Sequence, residues 1–361
     1  MILSFLKHVC FTLYVVSIVT ASPISVANEI PHLNVGRVPI DNQSTRSQSI
    51  AGKTAFEQVL VKLSGNKSIL DNDLISRSAR NYQQYLVSSS FISLNGKLVY
   101  QASFAQDRML ELLQFANVPV WGNLRPKTTV WIAQQSEANQ QINIVTQLSE
   151  HPFVEKVNDI AFSRGIDLLI PVGDLEDSVN VSKYDIWGSF AVSIANYSAK
   201  FGNEYTLIAR ISLGFDEISS AEAYIAEWTV VGDKHIYSSK SAGATEDLAL
   251  DALLSDYTDH LASRHAISSE LLANTQQIRI EVIGIDTLSK YAQAISALEG
   301  IAVVSKVSVK KQTKESMVFE LSVNADTQTL ASVLKLDDRF REFQADDLSV
   351  SDSTRYEWVG R

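Results

Sequence analysis

A single cysteine, Cys10, stands in 361 residues, and it lies inside an apolar run near the N-terminus. No disulfide can form within the chain, so its fold must rest on apolar cores and backbone hydrogen bonds. A chain this long suits two or three such cores rather than one. Apolar residues make up 45% of the chain and charged residues 20%, which is enough apolar surface to fold and too little charge for general disorder. The formal net charge is −10. A surface of that sign is repelled by a phosphate backbone, so no nucleic-acid partner is expected.

The run around Cys10 has the layout of an export signal. Lys7 and His8 precede the apolar stretch from Val9 to Val19, and small residues follow at Thr20, Ala21 and Ser22. Ser25-Val26-Ala27 supplies an A-x-A-like cleavage site. A membrane-spanning helix needs about 20 apolar residues, and this run stops short of that at Ser22-Pro23. A cleaved signal peptide over residues 1–27 is therefore expected, with no stable membrane span afterwards. Cleavage would remove Cys10 and Lys7, leaving 31 − 1 = 30 basic residues against 41 acidic ones. A thiolate nucleophile and a Cys-based zinc site would then be excluded. Long secreted eukaryotic chains usually carry disulfides, so the expected compartment is a bacterial periplasm.

Beyond residue 27 the apolar periodicity predicts an α+β protein of two or three small α/β-sandwich modules. The first spans 28–126. It opens on a strand from Leu33 to Ile40 and a helix with Phe56, Val59, Leu60 and Leu63 on one face. Thr45-x-x-Gln48 reads as the helix's capping box, and Gly65 as its terminator. Asn95-Gly96, between two strand-like runs, predicts a tight hairpin. Pro119 to Pro126 reads as a hinge into the second module, 127–270. That module is expected to run strand, helix, strand, acidic loop, helix, three strands and a final helix. Leu248, Ala252, Tyr257 and Leu261 would form the last helix's inward face. The third module, 271–361, reads β-α-β-β-α, the order of a ferredoxin-like unit, with Tyr356 to Val359 as an added edge strand.

No nucleotide-binding loop, G-x-S-x-G elbow or H-E-x-x-H motif occurs in the chain. His260 and His265 are five apart, so they do not share a helix face. Neither a catalytic residue nor a cofactor is indicated. The best polar constellation is Asp174, Glu176 and Asp177, with Asp185 beyond, after a strand end where α/β folds often hold ligands. Three or four carboxylates on one loop suit Ca²⁺ or Mg²⁺, but the calcium-loop spacing is missing, and such residues also cap helices. Trp121, Trp131 and Trp187 suit either a binding groove or interdomain anchoring, as bulky aromatics do. Arg125 and Arg210 are expected to pair with the acidic loop.

Several short motifs together resemble a known family. They are Pro119-Val120-Trp121-Gly122, Arg125-Pro126, Trp131, Pro171, Asp174-Leu175-Glu176-Asp177, Asp185-Ile186-Trp187-Gly188 and Ala209-Arg210. In order and spacing, from about Leu33 to Ala262, they resemble domain-of-unknown-function family number two thousand and sixty-six, of exported Gram-negative proteins. The family pattern has an Arg-Tyr pair where this chain has Lys200-Phe201. The resemblance implies export and fold but no activity. The middle module's order is also similar to the binding domains of envelope lipoproteins that activate peptidoglycan synthases. It is similar, too, to the amino-terminal domain of the Tol-Pal translocation protein. Both are non-catalytic binding modules.

The expected function is thus a periplasmic, non-catalytic binding or assembly factor whose partners are envelope proteins or a peptidoglycan-type glycan. The alternatives are a periplasmic hydrolase or metal-binding enzyme using the loop from Asp174 to Asp185, and a structural subunit of an envelope oligomer.

Overall fold

A computed structural model of the chain describes residues 32–232, 235–267, 276–301, 303–313, 316–343 and 354–360. The expected signal peptide, residues 1–27, lies outside them. Among the described residues no helix is long and apolar enough to cross a membrane. The architecture is α+β, with three separate sheets.

The first sheet is antiparallel, with β1 (Val35–Pro39), β2 (Leu86–Leu94) and β3 (Lys97–Phe104) in the order β1-β3-β2. Asn95 and Gly96 both take positive φ, 49° and 73°, as the two-residue turn between β2 and β3 requires. Helix α1 (Thr45–Ser64) packs on this sheet, with α2 (Asp73–Arg80) and α3 (Gln106–Phe115) beside it. The expected face of α1 is buried, and Phe56 meets Phe104 edge-on at 5.5 Å. Its cap lies one residue before the expected box: Ser44 Oγ accepts from the Ser47 N–H. Gly65, at φ 77°, ends the helix by donating its N–H to Val61.

The second sheet comprises β4 (Lys127–Gln135), β5 (Ile142–Val145), β6 (Asp167–Leu169), β7 (Tyr205–Asp216), β8 (Ala221–Val231) and β9 (Ile236–Gly243). The order is β5-β4-β7-β8-β9, with β6 also on β4. Strand β4 is parallel to β6 and β7, and all of 128–134 is buried. Burial on both faces explains its continuous apolar run. Val130 and Ile132 face a core shared with α4 (Pro152–Arg164) and α8 (Glu246–His265). Trp131 and Ala133 face a smaller core under α5 (Leu175–Asn180), α6 (Lys183–Trp187) and α7 (Ala191–Ser198). The expected inward face of α8 needs correction. Leu248 is exposed and Ala252 half-buried, whereas Ala249, Leu250, Leu253 and Leu254 are buried with Tyr257 and Leu261.

The last sheet contains β10 (Gln276–Ile283), β11 (Val304–Gln312), β12 (Ser316–Val323), β13 (Phe340–Glu342) and β14 (Thr354–Trp358). With α9 (Leu288–Glu299) and α10 (Thr327–Leu336), the expected β-α-β-β-α order is present. The sheet order is β11-β12-β10-β14-β13, so β14 lies between two strands and is not the edge. It runs parallel to β10, and the short β13 takes the edge.

The presumed hinge is a packed junction. Val118, Val120, Trp121, Leu124 and Arg125 are buried. Val120 and Ile267 exchange two backbone hydrogen bonds of 2.9 and 2.8 Å, so the links into and out of the central domain cross side by side. Trp121 N–H donates to Leu63 at the end of α1. Arg125 Nη2 donates to the carbonyls of Lys62 (2.8 Å) and Trp121 (2.9 Å), and its Nε to Gly122 (2.6 Å). Arg164 of α4 donates to the Gly65 carbonyl at 2.8 Å and pairs with Asp259. Two guanidinium groups therefore hold the carbonyl end of α1, where the helix dipole favours positive charge.

Next to them, Lys62 is buried, with Nζ 2.8 Å from the Val35 carbonyl and 3.5 Å from the centre of the Phe162 ring. Burial, with Arg37 and Arg125 nearby, pulls its pKa down to about 7. Glu204 shows the opposite case at the start of β7. It accepts from the Lys127 N–H at 2.5 Å, and burial, with Asp338 and Asp167 near it, raises its pKa to about 7.

Arg125→Ala should lower stability in urea by roughly 3 kcal/mol, because it strands several buried acceptors. Arg125→Lys should recover little, since one ammonium cannot reproduce the planar fork. Glu204 binds its proton more tightly folded than unfolded, where its pKa is about 4.3. Its contribution is therefore full below pH ~4.3 and lost as pH rises towards ~7. Glu204→Gln should remove that decline, visible as a raised unfolding midpoint at pH 8 and little change at pH 4.

Candidate functional site

Strand β6 lies on one side of β4 and β7 on the other, so the chain crosses the sheet between them. Such a switch point opens a crevice beyond the strand ends. Helices α5, α6 and α7 make this crossing, and they carry the acidic motif. A crevice of about 240 Å³ lies there, lined in part by Trp131, Thr146, Gly173, Asp177, Ser182 and Lys183.

Each acidic residue already has local work. Asp174 caps α5, its Oδ1 accepting from the Asp177 N–H at 2.8 Å. Asp185 forms a capping box with Ser182, accepting from that residue's N–H at 2.8 Å and its Oγ at 2.7 Å. Glu176 is exposed and accepts from Lys200 Nζ at 3.0 Å. Asp177 is buried. Its Oδ2 accepts from Gly173 N–H at 3.0 Å, and its Oδ1 from the Tyr197 hydroxyl at 2.8 Å, with Lys200 Nζ 3.1 Å away. Burial alone would raise the Asp177 carboxyl, but these donors outweigh it and hold the pKa below the usual value. No group of three or more His, Cys, Asp or Glu among the described residues is arranged to hold a metal ion. Asp174, Glu176, Asp177 and Asp185 thus serve as two caps, one exposed pair and one buried latch. The sequence held this signal in the spacings Asp174-x-x-Asp177 and Ser182-x-x-Asp185.

The expected pairing of Arg125 and Arg210 with this loop does not occur. Arg125 binds backbone carbonyls at the junction. Arg210 pairs with Glu227 on the neighbouring strand and donates to the Trp187 carbonyl at 2.6 Å. Lys240 joins the same carboxylate at 2.6 Å. On an antiparallel sheet Arg210 stands opposite Glu227, so a strand neighbour is the nearest partner. Lys200 instead holds Glu176 and Asp177.

The tryptophans divide by burial. Trp131 is buried and donates Nε1 to Ser198 at 2.8 Å, tying α7 to the sheet. Trp121 is buried against Arg125, 3.9 Å from its ring, and touches a cleft of about 300 Å³ next to the C-terminal module. His265 stacks parallel to it. Burial, with Arg264 and Arg125 nearby, pulls the His265 pKa down to about 4, leaving a neutral ring 3.0 Å from the Tyr205 hydroxyl. Trp187 is half-buried.

Sequence reasoning missed the outer surface of this crossing. Val172, Leu175, Val179, Tyr184, Phe190 and Val192 are between 49% and 82% exposed. They fall within 21 residues, where short helices leave too few positions to bury every apolar side chain. Leu175 and Val179 are four apart on one turn of α5.

By fold this is an α+β protein with three sheets among the described residues. Its first module matches a family model described as Domain of unknown function (DUF8605), over residues 27–122. That overturns the resemblance drawn from the motifs: the matched family is a different one, and its match ends before Arg125, Trp131 and the acidic motif. No curated protein matches the chain.

Asp177 binds its proton less tightly folded than unfolded, so its contribution is present above the unfolded pKa of about 3.9 and lost as pH falls below it. Asp177→Asn should therefore lower the unfolding midpoint at pH 6, and the gap to the parent should narrow as pH falls below about 3.9, as followed by circular dichroism.

Proposed function

We propose that this chain is a non-catalytic binding or assembly protein of the bacterial envelope, working in the periplasm. It holds another protein through the apolar outer surface of α5, α6 and α7. The observation that carries this reading is the set of six exposed apolar side chains between Val172 and Val192. Soluble monomers rarely leave such groups together in water unless another molecule covers them. The carboxylates of the same segment are engaged in caps and a latch, which supports binding over hydrolysis. A protein partner is favoured over a glycan because four of the six exposed side chains, Val172, Leu175, Val179 and Val192, are aliphatic and cannot stack on a sugar ring as aromatics do. Export is supported by the charge, apolar and small-residue order of residues 1–27.

A photo-crosslinking residue placed at Leu175 or Phe190 in the exported chain should yield one dominant protein adduct in envelope extracts. The same probe at Ile50, exposed on α1, should not. Equal adduct yields at all three positions would defeat the reading. Leu175→Glu combined with Phe190→Glu should abolish the adduct from a probe at Val179 while leaving the circular dichroism spectrum unchanged.

A further inference from the structure

The strand edges of this protein are guarded unequally. An open edge presents unpaired N–H and C=O groups, and proteins usually protect it by shortness, charge, proline, bulges or cover. Strands β5, β6 and β13 have four, three and three residues. Strand β11 carries Lys306, Lys310 and Lys311 and two register shifts. Strand β9 carries Lys240 and packs against α8. Strand β1 ends on Pro39, and two of its main-chain groups are taken by side chains of α1. Lys62 Nζ donates to the Val35 carbonyl at 2.8 Å, and the Arg37 N–H donates to Gln58 Oε1 at 2.7 Å.

From Ser88 onward strand β2 has none of these devices. It runs nine residues, Leu-Val-Ser-Ser-Ser-Phe-Ile-Ser-Leu, without a charge or a proline. Its one irregularity is at Leu86/Ser88, and from Ser88 to Leu94 it pairs with β3 in unbroken register. Only β3 pairs with it among the described residues, and Val87 to Ser90 are exposed.

We infer that the free edge of β2 pairs antiparallel with β2 of a second copy of this chain, joining two three-stranded sheets into one of six strands. The absence of charge selects this occupant. About a two-fold axis each residue meets residues of its own strand, so any charge near the axis would face its like. A strand evolved for a different protein has no such restriction and can carry charge that complements its partner. With the axis at Ser90, each Ser90 faces its counterpart, Ser89 lies beside the second copy's Phe91 and Ser88 beside its Ile92, so serines occupy the centre. The rest of the chain, at net charge −10, repels its copy, so contact is confined to an uncharged stretch such as this one.

The test uses the full chain with Cys10→Ser, so that an introduced thiol stands alone. Ser90→Cys should give a disulfide-linked dimer on mild oxidation, whereas Ser263→Cys, exposed on α8, should not. Light scattering of the parent should give a mass rising to twice the chain's with concentration. Ser90→Lys should return it to one chain with an unchanged circular dichroism spectrum and unfolding midpoint. A parent that stays monomeric at every concentration and gives no Ser90→Cys dimer overturns the inference. So does a dimer that Ser90→Lys leaves intact, or a β2 edge that pairs only with a strand from another protein.

Discussion

The carbonyl end of α1 is the point on which the first module, the link and the central domain converge. A helix ends with carbonyls that its own turns cannot satisfy, and burying them without donors is costly. Here Gly65 turns the chain, Arg125 reaches the Lys62 carbonyl from the link, and Arg164 reaches the Gly65 carbonyl from the central domain. Each arginine also ties its own segment: Arg125 to Trp121 and Gly122, Arg164 to Ser255 and Asp259. Helix termination and domain docking are therefore one set of bonds. The buried Lys62 adds a third cation, which is tolerable because the Val35 carbonyl and the Phe162 ring face its ammonium and its pKa falls to about 7.

That concentration of donors shows where the polar residues prominent in the sequence are used. Arg125, Trp121 and Trp131 lie where neighbouring elements must be fastened. Asp174 and Asp185 start short helices that could not persist alone, since helices of five or six residues are marginal without caps and packing. Asp177 fastens α5 to α7 through Tyr197 and Lys200. Asp177 is turned inward, while the outer face of the crossing carries Asp174 and Glu176 beside its exposed apolar residues.

Much of the fold was legible because local rules and tertiary packing agree. The α1 face, the Asn95-Gly96 turn and the Gly65 terminator each follow from a period or a backbone preference. What was not legible depends on which element lies alongside. Strand β5 is four residues after a polar stretch and gains its identity only by pairing with β4. The α8 face is rotated because three strands and α4 pack on it, giving a wider buried arc than one stripe. Arg210 and Glu227 are 17 residues apart in sequence, and only the β7–β8 register sets them opposite. Of the site, the motif and its position after a strand end were legible. Its use as caps was written in three-residue spacings, and the exposure of its apolar neighbours depended on how little sheet the short helices cover.

The crossing of the two links has an architectural meaning. Val120 and Ile267, joined by a pair of backbone hydrogen bonds, mark where the chain leaves for the central domain and where it returns. Residues buried in the first module and in the last belong to one apolar cluster, whereas the central domain has clusters of its own. In topological terms the central domain is a guest, spliced into a host whose two halves close beneath it, and domains with adjacent ends are readily inserted in this way. The family match stops at residue 122, at the splice. Host and guest can therefore diversify separately, provided that each guest carries a donor able to receive the end of α1.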